Sequence, residues 1–131
     1  MYANRSEEIF ANYLALIDQH LDDLVHDRID TMYELRDFAE RLYIHPTHLS
    51  NVIKQLTGNH PCYYYEEKLV AVAKNLLSNP TNSIADVALK LTYDPSNFTK
   101  WFKSYAGMSP SVYRKQLAQS TLDKVLQPVQ V

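Results

Sequence analysis

At an offset of 49 residues the chain repeats itself: Ala39 returns as Ala88, Leu42 as Leu91, Lys54 as Lys103, Gly58 as Gly107, Pro61 as Pro110 and Tyr64 as Tyr113. Leu49 and Ile53 return conservatively as Phe98 and Phe102. A repeat of this length is one supersecondary unit, and two copies of it must account for most of the fold. Each copy reads as a short helix, a tight turn, a second helix and a Gly-x-x-Pro stop: Gly58-Asn59-His60-Pro61, then Gly107-Met108-Ser109-Pro110. Glycine can take the left-handed conformation that closes a helix, and proline cannot continue one.

Apolar spacing is helical throughout, and strand alternation is almost absent. Between residues 9 and 25, Phe10, Leu14, Ile17, Leu21 and Leu24 form one stripe opposite Asp18, Gln19, Asp22 and Asp23, with Ser6 expected as N-cap. Thr31 is expected to cap a helix to about Leu42, with Glu34 completing a capping box. Pro46 fits the first turn of a helix reaching Thr57. A long middle helix is expected from Tyr64 to Leu77, with Leu69, Val72, Ala73 and Leu76 inward. Ser83 caps a helix to about Leu91, Asp94-Pro95 starts another to Tyr105, and Pro110 starts a last one to about Leu117. The expected fold is all-α with seven helices: a first helix-turn-helix subdomain over 1–62, a linker helix over 63–79, and a second subdomain with its tail over 80–131.

Composition excludes several functions. Two glycines in 131 residues allow neither a dinucleotide-binding Gly-x-Gly-x-x-Gly turn nor a phosphate-cradling loop. The single Cys62 can form no internal disulfide or cysteine zinc cluster and fits a reducing compartment. No apolar stretch is long enough to cross a bilayer, so a cytoplasmic location without membrane contact is expected. The net charge of −2 conceals an asymmetry: residues 1–30 hold two Arg against seven acids, and residues 31–116 hold ten Lys and Arg against seven acids. The front is acidic, and the rest is mildly basic enough to permit a polyanionic partner.

Two helices crossing at a tight turn need a small residue in the first and apolar anchors in the second. Copy one supplies Leu35, Ala39, Leu42, Ile44, Leu49 and Val52; copy two supplies Ile84, Ala88, Leu91, Tyr93, Phe98 and Trp101. The residues left outward are Thr47, Ser50, Asn51 and Lys54, then Ser96, Thr99, Lys100 and Lys103. Hydroxyls, an amide and lysines can reach base edges and phosphates in a major groove. A single such face is also what any solvated helix presents, and the duplicated turn architecture is what distinguishes these two.

The stretches Ala39–Ser50, Ile84–Ala88 and Asp94–Lys103, followed by Gly107-Met-Ser-Pro-Ser-Val-Tyr-Arg114, resemble the DNA-binding module of the AraC/XylS type of bacterial transcription regulator. The resemblance covers about residues 9 to 117. It implies a sequence-specific, double-stranded DNA-binding transcription regulator that reads two successive major grooves, the middle helix spacing its two recognition helices. Carried over by position, base reading falls on Thr47, Ser50, Asn51, Ser96, Thr99 and Lys100, and phosphate contact on His48, Lys54, Asn97 and Lys103. Asn51 suits an adenine edge and Lys100 guanine. Arg114 closes the motif in a structural or backbone-directed role. RNA polymerase is the further partner implied. Two departures stand out: Tyr43 and Thr92 replace the family's turn glycine, and the turn Leu91–Asp94 looks one residue short. Both turns are expected to form in a right-handed or bridge conformation.

The remaining signals point to structure. His45 with His48, or His60 with Cys62, lack the further ligands of a tetrahedral site, so no metal and no cofactor are expected. Tyr63, Tyr64 and Tyr65 are expected to pack against the core. The 10-14-17-21-24 seam is too short for a coiled coil, leaving a monomer or a weak dimer through the first helix. No catalytic constellation is present, so no enzymatic activity is expected. The competing function is a helical protein-interaction module with the same fold, binding a protein through its acidic first helix. Steep weakening of duplex binding by salt separates the two readings.

Overall fold

The computed structural model describes residues 4–126, so the ends of the outer two expected segments, 1–3 and 127–131, lie outside it. The described residues form seven helices and no strand: α1 (Arg5–Val25), α2 (Leu35–Arg41), α3 (Pro46–Thr57), α4 (Pro61–Leu77), α5 (Ile84–Lys90), α6 (Pro95–Ala106) and α7 (Pro110–Leu126). The chain packs as two compact units, residues 1–72 and 73–131, and the division falls inside α4.

In the first unit α1 packs on α2 and α3, and α2 packs on α3. The buried side of α1 is Ile9, Tyr13, Ile17, His20, Leu21 and Leu24, so the expected stripe is turned by one residue over its first half. Tyr13 can be buried because its hydroxyl donates to the Pro61 carbonyl at 2.9 Å, while Phe10 stays half-buried edge-on to Tyr64 at 4.9 Å. Tyr65 meets Phe38 at 6.0 Å, and Tyr63 remains exposed. Helix α1 begins earlier than expected because Asn4, not Ser6, is its cap and accepts the Glu7 N–H at 2.9 Å. Likewise α2 is capped by Glu34 rather than Thr31, with the Asp37 carboxylate accepting the Glu34 N–H at 2.8 Å. Just upstream of this cap the Tyr33 N–H donates to His20 Nε2 at 3.1 Å.

In the second unit α6 packs against both α5 and α7. Its core is aromatic: Phe98 and Phe102 are fully buried and contact each other at 5.9 Å, with Tyr113 edge-on to Phe102 at 5.7 Å. Burying each phenylalanine contributes roughly 1.5–3 kcal/mol. Arg114 clamps the α4–α5 connection, its guanidinium donating to the carbonyls of Leu77 at 3.0 Å, Asn82 at 2.6 Å and Asn79 at 3.5 Å. Leu77 ends α4, so this is a side chain satisfying a carbonyl that the helix leaves unpaired. Helix α7 runs past the expected end at Leu117 to Leu126, since the intervening sequence holds neither glycine nor proline. Helix α4 starts at Pro61, three residues before the expected Tyr64. Leu69, Ala73 and Leu77 are its buried side, while Val72 and Leu76 are half-buried.

Candidate nucleic-acid interface

Each unit aims its outward helix with the same backbone device. After α2, Tyr43 adopts a left-handed φ of 58°, its N–H donates to Glu40 O at 3.0 Å, and the Ile44 N–H donates to Ala39 O at 3.1 Å. After α5, Thr92 does so at φ 67°, with Thr92 N–H on Leu89 O at 3.0 Å and Tyr93 N–H on Ala88 O at 2.8 Å. These paired bonds are the Schellman closure, which requires one left-handed residue just beyond the helix. The expectation of a right-handed or bridge conformation at Tyr43 and Thr92 is therefore corrected. The reversal imposes the left-handed state on side chains that disfavour it, at a cost of about 1–3 kcal/mol each. The two turns, Leu42–His45 and Leu91–Asp94, have equal length.

Ala39 and Ala88 are wholly buried and also supply the carbonyls that accept these closures. Immediately beyond each turn a cap starts the next helix. His45 Nδ1 accepts the Thr47 N–H at 3.1 Å, and an Asp94 carboxylate oxygen accepts from Ser96 N–H at 3.2 Å and Asn97 N–H at 3.4 Å. The Ser96 hydroxyl donates to the same oxygen at 2.7 Å. That bond, the Asn97 N–H and the nearby Lys100 charge hold the Asp94 carboxyl below the usual carboxylate range. Leu49, Val52 and Ile53 then anchor α3, and Phe98 and Phe102 anchor α6.

With those anchors inward, Thr47, Ser50, Asn51 and Lys54 follow the i, i+3, i+4, i+7 spacing of one helical face on α3, and Ser96, Thr99, Lys100 and Lys103 do so on α6. All are exposed except Ser50 and Thr99, which are half-buried; His48 and Asn97 lie exposed beside each set. The chemistry of the two faces differs in a way the sequence did not reveal. The side chains of Thr47, Ser50 and Asn51 make no hydrogen bond within the described residues. In α6 both hydroxyls already donate inward, Ser96 to Asp94 and Thr99 to the Pro95 carbonyl at 3.1 Å. While those bonds hold, the two hydroxyls can only accept from an outside partner, whereas the α3 set can donate or accept. Among the described residues no group of three His, Cys, Asp or Glu could hold a metal ion, and no helix is long and apolar enough to cross a membrane.

Comparison with known proteins places this geometry. The helix-turn-helix domain family matches residues 38–116. The Msm operon regulatory protein of Streptococcus mutans is 27% identical over 112 residues, which is 85% of this chain and 40% of that protein. The chain thus spans less than half the length of this curated relative. The C-terminal domain of AraT, a response regulator from Geobacillus stearothermophilus, superimposes with a TM-score of 0.71 at 26% identity, covering 86% of this chain and 88% of that domain. The DNA-binding domain of AdpA, solved in complex with a target DNA, superimposes with a TM-score of 0.64 at 23% identity, over 80% of this chain and 92% of that one. The duplicated turn, the repeated outward faces and the matched span together assign the chain to the helix-turn-helix domain family of DNA-binding transcription regulators of the AraC/XylS type.

Proposed function

We propose that the chain is a sequence-specific reader of double-stranded DNA that regulates transcription from the cytoplasm, with RNA polymerase as a further partner and no catalytic step of its own. The observation that carries this is the duplication: two Schellman-closed turns, each followed by a capped helix with the same outward spacing. In this reading Thr47, Ser50, Asn51, Ser96, Thr99 and Lys100 meet base edges, and His48, Lys54, Asn97 and Lys103 meet phosphates. Asn51 offers adenine both a donor and an acceptor.

Selection of bound sequences from a random duplex pool tests the reading, followed by Asn51→Ala and Lys100→Ala on the selected site. Each substitution should cost about 1–3 kcal/mol there and relax preference at one base pair. Equal losses on selected and random duplex would refute base reading by these side chains.

A further inference from the structure

The two units differ in charge far more than the chain's average suggests. Residues 1–72 hold six Lys and Arg against twelve Asp and Glu, a net −6, while residues 73–131 hold seven against three, a net +4. The few cations of the first unit are also engaged. Arg5 pairs with Glu8 at 3.2 Å, Arg28 with Asp22 and Asp23, Arg36 with Glu34 at 3.2 Å and Lys68 with Asp18 at 2.7 Å. Arg41 lies over the Tyr33 ring at 4.1 Å. Only Lys54 stands exposed without such a partner among the described residues of that unit. In the second unit Arg114 is spent on carbonyls, Lys74 lies over the Tyr113 ring at 5.7 Å, and Asp94 offsets part of the charge of Lys100. Lys103 and Lys115 nevertheless stand exposed, on a unit whose balance remains positive.

Binding that ignores sequence comes almost wholly from neutralising phosphates and releasing their counterions. A unit at −6 with its arginines paired gains little from a random duplex, because its own acids repel the same phosphates. We propose that the units divide the work. The second unit alone holds the chain on DNA of any sequence, and the first engages only where α3 finds base contacts that outweigh that repulsion. This rests on the DNA-reading assignment above and adds an order of engagement to it.

Lys54 and Lys103 occupy the same position in the two copies, which makes them a matched pair for the test. The full chain is titrated by fluorescence anisotropy against its selected duplex and a scrambled duplex of equal length, between 50 and 200 mM KCl. On scrambled DNA, Lys103→Ala should reduce the slope of log K against log salt by about 0.9, so that lowering salt fourfold recovers roughly threefold less affinity. Lys54→Ala should leave that titration unchanged, yet weaken binding to the selected duplex. A loss on scrambled DNA from Lys54→Ala equal to that from Lys103→Ala overturns the proposal, as does no loss from Lys103→Ala. If selected and scrambled duplexes bind alike, the sequence-reading assignment fails, while the Lys54–Lys103 contrast on scrambled DNA is still measured and judges the division of charge by itself.

Discussion

Among the described residues, Thr92 is the β-branched side chain held in the left-handed region. A β-branched side chain at φ 67° is a genuine outlier, and Tyr43 at φ 58° is held there with its ring 94% exposed, so no packing offsets its strain. Glycine has no such penalty. Thr92→Gly should raise stability by about 1 kcal/mol, read as a higher urea midpoint with unchanged slope; a lower midpoint would show that the Thr92 side chain contributes more than its strain costs. His20 is strained electrostatically instead. It is buried, stacked on Tyr33 at 4.0 Å, and accepts the Tyr33 N–H through Nε2. Burial holds its pKa below the ordinary value, with Arg41 acting in the same direction and Asp23 and Asp37 opposing. Well above pH 6.5 neither folded nor unfolded chain protonates this ring, and its contribution is fully present. As pH falls below that value the unfolded chain takes a proton that the native state refuses, so stability declines, by at most about 1.4 kcal/mol at pH 5.5. Replacing His20 with glutamine should flatten the difference in urea midpoint between pH 7.5 and 5.5. An unchanged difference would place that pH dependence elsewhere.

At the scale of elements, Ala39 and Ala88 carry two constraints at once, close helix crossing and the carbonyl that closes the turn. Leucine at either site should overpack the crossing and destabilise by roughly 1–3 kcal/mol, and equal thermal midpoints for Ala88→Leu and the unaltered chain would count against the crossing. These alanines were legible in the sequence because the repeat exposed them, and so were the Gly58 and Gly107 stops and the Pro46 and Pro95 starts, which act through local backbone chemistry. The choice among rival caps was not: Thr31 and Ser6 are good capping types, yet Glu34 and Asn4 take those places. The left-handed turn residues were misread because Tyr43 and Thr92 disfavour that state intrinsically, and only the pairing of two helices on a shared core imposes it. On the candidate faces, residue identity and spacing were readable in advance. The inward donation by Ser96 and Thr99 was not, since it depends on where one carboxylate and one carbonyl come to lie.

At the scale of the whole molecule, α4 is the one element that belongs to both units, because the division falls between Val72 and Ala73 inside it. If both units read DNA as proposed, their connection through one helix makes the second contact intramolecular, at an effective concentration set by the joint rather than by bulk protein. A site with both half-sites should therefore bind far more tightly than a duplex carrying one. Proline at Val72 removes a helical hydrogen bond and clashes with the preceding turn, at about 3 kcal/mol or more. Glycine there loosens the helix by only about 1 kcal/mol and serves if the proline variant does not fold. In either folded variant each half-site should bind as before, since the proposed base-reading residues Thr47, Ser50, Asn51, Ser96, Thr99 and Lys100 are untouched, while the advantage of the composite site shrinks. A folded Val72→Pro protein that keeps the full advantage would show that α4 does not set the joint, and that the two faces are coupled through the DNA or not coupled at all.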